Sequence, residues 1–429
     1  MKTLTFIFIV AAVLNTGANS TLAREAEPEN PSFSTVYSAS NQFGYNVMTN
    51  LVEKDAVENK NTFYSPVSAS MALSMLYNGA TGATKEAMKK AMSLENISLD
   101  LVNNANQGLI SSLRKKADDF NKLKEEHPES YTGDPMSMSI ANAIWAHEDV
   151  MVEPEFKELV SFNYEASVGK FNADTPDFAE AAASKINSWA SDNTKGKIDE
   201  IVNADLIRNL RMLLANATYF KASWQAPFNK VAPMTFNGFG DSMTHIQAMG
   251  KTSNFRYVNT GKYEAIEIPY VGGYTSMYVI VPNKGNSNGF VDFVRESAMN
   301  ADFWNKLGSE LSYQHIALTM PKFTFEYGTQ LKNILVSLGM GVAFTGNAEF
   351  YGLTKSEPLA IGYVKQQSFI KVDEKGTEAA AVTSIGMTRT SVPPPPILVE
   401  IDRPFVFAIR DKATGSMLFM GSVVKPEWK

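Results

Sequence analysis

The chain contains no cysteine and only four histidines among its 429 residues. The absence of cysteine excludes disulfides, thiol catalysis and zinc-thiolate sites. The histidines are interpreted as surface or packing residues, because no two have a metal-ligand spacing such as one helical turn. They are His127, His147, His245 and His315. We therefore expect no metal site and no cofactor.

Signatures of common enzyme classes are also missing. No Gly-x-Ser-x-Gly nucleophile elbow occurs. Gly250-Lys251-Thr252 resembles the end of a phosphate-binding loop, but His245 occupies the position of its first glycine. The net charge is -6 and the basic residues are scattered, which argues against nucleic-acid binding. The sequence thus predicts a protein that is not an enzyme.

Long apolar runs are absent except at the N-terminus. Residues 1–20 are typical of a secretory signal peptide, with an apolar run from Leu4 to Leu14 and cleavage near Ala18 or Ser20. This run is too short to cross a bilayer, so no membrane association is expected. Residues 21–35 are acidic and contain proline, as in a disordered tail. We expect a secreted, extracellular protein, periplasmic or at the cell surface in a bacterium.

The remainder is expected to form one large domain, 36–429. Hydrophobic residues make up 44% of the chain, and no segment after residue 35 is rich enough in Pro, Gly or Ser to divide it. Hydrophobic periodicity predicts helices interspersed with strands. The main predicted helices are 36–56, Ser68–Asn78, Gly108–Lys124, Glu153–Phe162, Asp177–Asn193 and Phe290–Leu307. The main predicted strands are Ser137–His147, Met212–Phe220, Ile316–Phe325, Phe369–Asp373, Ile397–Ile401, Phe405–Arg410 and Met417–Val424.

One stretch, from Glu374 to Ser391, has the pattern of a strand outside a sheet. It begins with a glycine hinge, continues through small and β-branched residues and is followed by Pro393 to Pro396. If Thr377 points down, strand alternation directs Ala379 and Ala381 down as well, and the charged Glu378 up. The stretch could therefore enter between two existing strands without burying a charge.

Asn216 lies within the long apolar strand Met212–Phe220 and allows two interpretations. Asn216-Ala217-Thr218 is formally a glycosylation sequon, yet a sequon in a central strand is poorly accessible. The alternative is a buried, hydrogen-bonded polar residue that joins other polar groups.

Several separate motifs, in the right order, resemble the serpin family. They cover about residues 36–426 and are Ser65-Pro66-Val67-Ser68, Gly79-Ala80-Thr81-Gly82-Ala83-Thr84, Gly341-Val342-Ala343-Phe344, Phe405-Val406-Phe407 and Phe419-Met420-Gly421. The resemblance implies an α+β serpin fold. Such a fold has a large central, mostly antiparallel sheet able to accept an extra strand, further sheets and about eight to nine helices.

The resemblance also implies a function. Serpins present a loop, here about 374–396, as bait to a serine protease and insert it into the central sheet after cleavage. The hinge of that loop would be Glu374, Gly376, Thr377, Ala379, Ala380 and Ala381, and its small residues favour an inhibitory serpin. The alternative is a non-inhibitory carrier or chaperone. A monomer is expected in either case.

Specificity depends on the register of the loop. The spacing usual in the family places the scissile bond at Thr390-Ser391, which suits an elastase-like protease. One residue earlier, Arg389-Thr390 suits a trypsin-like enzyme. Subtilisin-like enzymes are further candidates, and both registers remain open.

The resemblance supplies partners for Asn216. In serpins this asparagine lies beneath the central sheet near the serines that match Ser65 and Ser68, at the place where the sheet parts. The family's histidine in this cluster is replaced by Gln366, which still donates and accepts hydrogen bonds but does not titrate. The region that binds sulfated polysaccharide in some serpins, Gly108–Lys124, has interleaved acidic residues here. It is interpreted as a solvated face, and the use of the sequon at Asn96 depends on the host.

Overall fold

The computed structural model describes residues 32–128, 133, 136–239, 242–283, 287–377 and 394–428. The expected signal peptide and most of the expected tail lie outside these ranges. So do residues 378–393 of the predicted loop, which include the predicted site residues Ala379, Ala380, Ala381, Arg389, Thr390 and Ser391. The predictions made for them remain predictions.

Ten α-helical segments occur in the described residues, two of them a single turn. They are α1 Phe33–Val57, α2 Pro66–Gly79, α3 Gly82–Ala91, α4 Leu99–Glu126, α5 Pro154–Tyr164, α6 Pro176–Asn193, α7 Ala204–Ile207, α8 Ser287–Phe293, α9 Ala301–Glu310 and α10 Lys332–Leu335. None of the described helices is both long and apolar enough to cross a membrane.

Strands of the same residues form two sheets. The strands are β1 Thr62–Tyr64, β2 Ser137–His147, β3 Ser167–Phe171, β4 Met212–Ser223, β5 Lys230–Asn237, β6 Met243–Asn259, β7 Tyr263–Pro269, β8 Thr275–Pro282, β9 Ser312–Pro321, β10 Phe323–Gln330, β11 Tyr363–Val372, β12 Gly376–Thr377, β13 Ile397–Glu400, β14 Phe405–Asp411 and β15 Met417–Val423. A nine-stranded sheet has the order β1-β15-β14-β8-β7-β6-β9-β13, with β5 paired to β6. A six-stranded sheet has the order β10-β11-β12-β4-β2-β3.

Helix α2 packs beneath the six-stranded sheet and against β15 of the other sheet. Ser65 caps its N-terminus, since the Ser65 Oγ accepts a hydrogen bond from the Ser68 N–H at 3.4 Å. Pro66 begins the helix, where its missing N–H has no partner to lose. The helix is buried on almost every side, as its all-round apolar sequence predicts.

Helix α4 is longer than the predicted Gly108–Lys124. It begins at Leu99, after Ser98 accepts a hydrogen bond from the Leu101 N–H at 3.2 Å. Its first turns bury Asn103, whose side chain bonds Asn78 and Tyr164. Because two of its buried positions, Asn103 and Asn106, are polar, the hydrophobic periodicity is weak in this part of the helix.

Two predicted elements are each divided in the structure. The predicted helix Phe290–Leu307 is interrupted at Asn300, whose side chain accepts a hydrogen bond from the Phe303 N–H at 2.8 Å and so begins α9 as a new helix. The predicted strand Ile316–Phe325 is two strands in different sheets, β9 and β10, which meet at Lys322. Neither break removes hydrophobic periodicity, so the pattern alone did not reveal them.

Candidate functional site

The centre of the six-stranded sheet contains a pair of parallel strands, β4 and β11, within a mostly antiparallel sheet. The residues 363–369 pair with 213–219. Parallel pairing is slightly less stable per residue than antiparallel pairing. We call the pairing of β4 with β11 the seam. The sequence predicted the strands Met212–Phe220 and Phe369–Asp373, and the structure places the corresponding strands side by side.

Beyond the pair Phe369 and Tyr219 the two strands separate, and the hinge enters between them. Gly376 pairs with Ser223, and Thr377 pairs with Ala222, both antiparallel to β4. Thr377 also pairs with Val372 of β11. Gly376 and Thr377 of the hinge therefore already occupy the position of a new central strand.

Gly376 is required by a close backbone approach. A Cβ atom at this position would lie 2.2 Å from the Ala222 carbonyl oxygen and 2.7 Å from the Ser223 Cα. Both neighbours are backbone atoms of a central strand, which cannot move aside without disrupting the pairing. Glycine therefore allows the chain to turn into the sheet at this point.

Thr377 is fully buried, and it belongs to the face of the stretch that the sequence analysis describes as pointing down. Its Oγ1 lies 2.8 Å from the hydroxyl of Tyr270, a fully buried side chain whose pKa is raised by burial. The Tyr270 ring stacks on Trp224 at 4.5 Å between centroids. An uncharged side chain of this size fits the site, whereas a charged one would be buried without a partner.

The turn before the hinge is fixed by Asp373. Its Oδ1 accepts hydrogen bonds from the N–H groups of Lys375 at 2.9 Å and Gly376 at 3.3 Å. Burial raises the pKa of the Asp373 carboxyl, and the two N–H donors partly oppose this rise. The sequence reasoning did not single out Asp373, although an Asp that precedes a Gly by three positions is typical of such a turn.

Glu374 is held by an ion pair. Its carboxylate lies 2.7 Å from the Lys322 Nζ. Burial acts to raise the pKa of Glu374, but the hydrogen bond and charge of Lys322 outweigh burial and the pKa is lowered. The indole of Trp428 lies over the Lys322 ammonium at 4.1 Å and the Lys371 ammonium at 5.1 Å. The C-terminal segment thus contacts the lysine that pairs with Glu374.

The predicted polar cluster crosses the seam. Gln366 and Asn216 are paired residues of β11 and β4, and the Gln366 Nε2 donates to the Asn216 Oδ1 at 2.7 Å. The same amide also binds the backbone of Ser65: its Oε1 accepts from the N–H at 2.9 Å and its Nε2 donates to the carbonyl at 3.1 Å. Gln366 therefore joins both strands of the seam to the start of α2.

Asn216 completes the cluster on the other side of the seam. Its Nδ2 donates to the Ser68 Oγ at 2.5 Å and to the Asn142 Oδ1 of β2 at 2.6 Å. With 2% of its surface exposed, Asn216 is inaccessible to a glycosylating enzyme in the folded chain. Of its two interpretations, the buried polar residue fits the structure. Asn142 was not predicted, and its Nδ2 is buried without a hydrogen-bond partner.

A second polar contact crosses the seam two residues further along. The hydroxyls of Thr218 and Ser368 lie 2.8 Å apart, and both side chains are fully buried. The sequence reasoning missed this pair because the two residues face each other only in the observed register of β4 and β11. Side-chain hydrogen bonds thus cross the seam at two positions along the strands. We call Gln366 with Asn216 its first level and Thr218 with Ser368 its second level.

His147 is a buried packing residue, consistent with one of the two environments expected for the histidines. Its ring lies 3.2 Å from Asp149, 3.3 Å from Asp174 and 3.0 Å from Arg211. In the part of the chain that is described, no group of three or more histidine, aspartate or glutamate side chains is arranged to hold a metal ion.

Residues 38–426 match the family model described as serpin, serine protease inhibitor. A serpin-like protein of Methanosarcina acetivorans is 30% identical over 92% of this chain and 88% of its own length. Iripin-1 of Ixodes ricinus is 31% identical over 90% of this chain and 93% of its own. Among solved structures, human thyroxine-binding globulin superposes with a TM-score of 0.78 and 26% identity, covering 92% of this chain and 100% of that one.

The family match spans nearly the whole described chain, and the fold, the hinge and the seam agree with it. The chain therefore belongs to the serpin family, whose members are generally protease inhibitors rather than catalysts.

Proposed function

We propose that this protein is a secreted suicide-substrate inhibitor of serine endopeptidases. The observation that carries the proposal is the position of the hinge. Gly376 and Thr377 already lie between β4 and β11, and insertion of the residues that follow would continue a pairing that has begun.

The serine of the protease attacks the carbonyl of the scissile bond and forms an ester with that residue, the acyl-enzyme. The peptide bond breaks, and the segment that follows it leaves with a new amino terminus. The segment that precedes the broken bond then enters the seam as an antiparallel strand. One parallel pair of strands is replaced by two antiparallel pairs, which are slightly more stable per residue. The backbone groups of the loop gain partners in the sheet, and the free energy of this pairing drives the reaction forward.

Two hydrogen-bonded contacts oppose the opening of the seam, Gln366 with Asn216 and Thr218 with Ser368. Each contributes about 0.5–1.5 kcal/mol net. Opening also breaks the backbone pairing of residues 363–369 with 213–219, but a strand of fourteen residues forms backbone hydrogen bonds along both of its edges, so its gain exceeds these costs. The closed seam is therefore a barrier to insertion and not the more stable end state.

Insertion moves the attached protease. The fourteen residues Thr377 to Thr390 span roughly 45 Å at about 3.3 Å per residue, so the enzyme is carried from one end of the sheet to the other. Displacements on the order of 1 Å within a catalytic site can lower its rate about a hundredfold. Hydrolysis of the acyl-enzyme then stops, and the protease remains covalently bound.

Specificity follows from the residue that enters the primary pocket. Cleavage at Thr390-Ser391 favours an elastase-like protease, and cleavage at Arg389-Thr390 favours a trypsin-like one. Subtilisin-like enzymes belong to the same proposal. Residues 1–20 would direct the chain out of the cell, to an extracellular site or, in a bacterium, to the periplasm or cell surface.

The deciding experiment is incubation with elastase, trypsin and subtilisin followed by a denaturing gel. A protease–inhibitor complex that survives SDS supports the proposal, and mass spectrometry of the released C-terminal fragment identifies the scissile bond. Complete cleavage without a complex for all three enzymes would contradict it.

A non-inhibitory carrier or chaperone is the second candidate, favoured by the similarity to thyroxine-binding globulin. The two are distinguished by heating the protein after its loop has been cut. An inhibitor should gain a full strand and melt at a much higher temperature. A cleaved protein with an unchanged melting temperature would favour the carrier.

A further inference from the structure

Residues 425–428 lie along the edge strand β10, next to the hinge. The Asn61 Oδ1 accepts a hydrogen bond from the Lys425 N–H at 3.0 Å, which holds the start of this segment. The Thr324 N–H of β10 donates to the Glu427 carbonyl at 2.7 Å. Because β10 is the first strand of the six-stranded sheet, the segment extends that sheet at its edge. We call residues 425–428 the strap.

Trp428 of the strap contacts two ammonium groups of the sheet. The Lys322 Nζ lies 4.1 Å from the centroid of its ring, and the Lys371 Nζ lies 5.1 Å from it. Lys322 is the residue between β9 and β10, and Lys371 belongs to β11, two residues before the hinge turn begins at Asp373. The face of a tryptophan ring attracts cations more strongly than that of tyrosine or phenylalanine. The ring therefore joins the strap to the start of β10 and to β11.

Packing alone does not fix the ring. Trp428 is partly exposed, and it lines a cavity of about 280 Å³ together with Pro233 of β5 and Ile246 of β6. An unfilled volume on one side of a side chain provides no van der Waals contacts there. The two ammonium groups thus supply contacts that packing does not.

Lys322 links the ring to the hinge turn. It is buried, and its Nζ lies 2.7 Å from the Glu374 Oε2, an atom that is buried as well. Ion pairs in water are weakened by salt and by hydration, whereas a covered pair is much less screened. Trp428 is part of the cover over Lys322. Loss of the ring would expose the ion pair to water and weaken the hold on Glu374.

The turn that contains Glu374 is also attached to the end of β4. The Trp224 N–H donates to the Lys375 carbonyl at 2.9 Å, and the Phe228 N–H donates to the Glu374 carbonyl at 2.7 Å. The next residue, Gly376, already lies between β4 and β11. A weaker hold on Glu374 therefore allows the turn and Gly376 to leave the sheet together.

We propose that Trp428 is a positioning residue for the hinge. Through its contacts with Lys322 and Lys371, the ring keeps the Glu374 ion pair out of water, and the ion pair keeps Gly376 between β4 and β11. The strap thus determines how often the hinge leaves the sheet.

A consequence for inhibition rests on the proposed function, whereas the role of Trp428 in holding the hinge does not. A hinge that is already between β4 and β11 continues its insertion at once, while a released hinge must first re-enter the sheet. Hydrolysis of the acyl-enzyme competes with insertion during that delay. The strap therefore favours the trapped complex over simple cleavage.

Hydrogen exchange of the full-length protein tests the strap without any protease. The Lys375 and Gly376 N–H groups donate to the Asp373 Oδ1 and exchange when the turn leaves the sheet. In Trp428→Leu, which keeps an apolar side chain without a ring, both amides should exchange at least about threefold faster. In Trp428→Phe, which keeps a ring, the increase should be less than about twofold. Equal increases in the two variants, or none in either, would overturn the proposal.

Two controls separate the strap from a general loss of structure. The Thr414 N–H, which donates to the Asp411 Oδ2 at 3.0 Å in another turn, should exchange at the same rate in every variant. Tyr313→Leu removes an exposed ring from β9 and should leave the Lys375 and Gly376 amides unchanged. Faster exchange at Thr414, or at the hinge in Tyr313→Leu, would assign the effect to global destabilisation and refute the strap.

Salt provides a readout that packing alone would not move. In the natural protein the covered ion pair should make exchange at Lys375 nearly independent of salt between about 0.05 and 0.5 M. In Trp428→Leu the exposed pair should be screened, so exchange should rise by at least about a further twofold over the same range. An equal salt dependence in the two proteins would contradict the covering of the ion pair.

A double variant shows whether Trp428 acts through Lys322. Lys322→Met removes the charge and should itself accelerate exchange at the hinge. Adding Trp428→Leu should then change the rate less than about 1.5-fold, because the ion pair is already absent. If the two single effects multiplied instead, the ring would act by another route and the proposal would be wrong.

The consequence for inhibition is measured as the ratio of SDS-stable complex to cleaved inhibitor. Trp428→Leu should lower this ratio at least about twofold, and Trp428→Phe should retain more of it. Faster exchange with an unchanged ratio would overturn the consequence. If no protease forms a complex, the inhibitory function and this consequence both fail, while hydrogen exchange still decides the role of Trp428.

Discussion

The two sheets differ in the side chains that link neighbouring strands at two places, the edge pair β1 and β15 in one sheet and the seam in the other. In the nine-stranded sheet, Phe419 of β15 stacks on Phe63 of β1 at 5.0 Å between centroids. The seam of the six-stranded sheet is instead crossed by Gln366 with Asn216 and by Thr218 with Ser368. Interlocked aromatic rings lose their contacts when strands separate, whereas polar groups exchange one hydrogen-bond partner for another. Under the proposed inhibitory function, the sheet would part where hydrogen bonds cross it, whereas the aromatic contact between β1 and β15 would stay closed.

Thr377→Arg should have the largest effect on this contrast. A buried guanidinium beside Tyr270 has no carboxylate partner and costs several kcal/mol, so the hinge should leave the sheet and inhibition should fall more than about a hundredfold. The measurement is the ratio of SDS-stable complex to cleaved inhibitor. Thr377→Val, which keeps the shape, is the control and should still form the complex. Undiminished complex formation by Thr377→Arg would refute insertion.

Phe419→Ala tests the nine-stranded sheet. Removing a fully buried ring from this stack should lower the free energy of unfolding by about 3–5 kcal/mol, measured by urea denaturation. The loss of stability is the readout for this variant, because the Phe419 ring also contacts Phe220 of β4, at 5.7 Å between centroids, and the rate of complex formation would report both effects. A loss of stability below about 1 kcal/mol would mean that the aromatic stack is not what holds this sheet.

Gln366→Ala tests the seam. It leaves the Ser65 N–H and the Asn216 Oδ1 without their partner, at a cost of about 1–3 kcal/mol in the closed state. Spontaneous insertion of the uncut loop should accelerate, and is followed as loss of inhibitory activity during incubation. Gln367→Ala, on the opposite face of β11, is the matched control. Equal rates in the two variants would exclude Gln366 as a barrier to opening.

Thr218→Val and Ser368→Ala test the second level of the seam. Each substitution should reduce stability by about 1 kcal/mol, because one buried hydroxyl pair is lost while the packing is nearly kept. The loss of stability in the double variant should be smaller than the sum of the losses in the two single variants. The difference is the coupling energy of the hydroxyl pair. Strictly additive effects, measured by urea denaturation, would show that the hydroxyls do not interact.

Gln366→His should have the smallest effect of these variants at neutral pH and a larger effect in acid. A neutral imidazole can replace one donor and one acceptor of the amide. Burial lowers the pKa of a histidine below its ordinary value of about 6.5, so its stabilising contribution is present above that value and lost as pH falls through the lowered pKa. Spontaneous insertion should therefore accelerate between about pH 6.5 and 5 in the variant relative to the natural protein. Parallel pH profiles would contradict this.

Much of the fold could be predicted from the sequence because its strands have regular patterns. Strand β2 is Ser137–His147 in both prediction and structure, and the predicted strand Met212–Phe220 lies within β4. The breaks at Asn300 and Lys322 were missed because apolar residues recur on both sides of each. Local capping and sheet assignment decide such positions, and hydrophobic periodicity reports neither.

The candidate site was predictable where a motif fixes the residue and not where register decides. Ser65, Ser68, Asn216 and Gln366 could be grouped through the family resemblance, and the structure brings them together. The pairing of Thr218 with Ser368 depends on which residues of two distant strands lie opposite each other. A single sequence carries no record of that alignment.

The hinge lies between two of the five tryptophans of the chain. Trp224 donates its indole N–H to the Asp373 carbonyl at 2.8 Å, and Trp428, with 37% of its surface exposed, lies over Lys322, the partner of Glu374. Any movement of residues 373 and 374 alters the polarity around both indoles. The intrinsic fluorescence of the protein should therefore report release of this turn from the sheet, and a stopped-flow instrument can time that release without an attached dye.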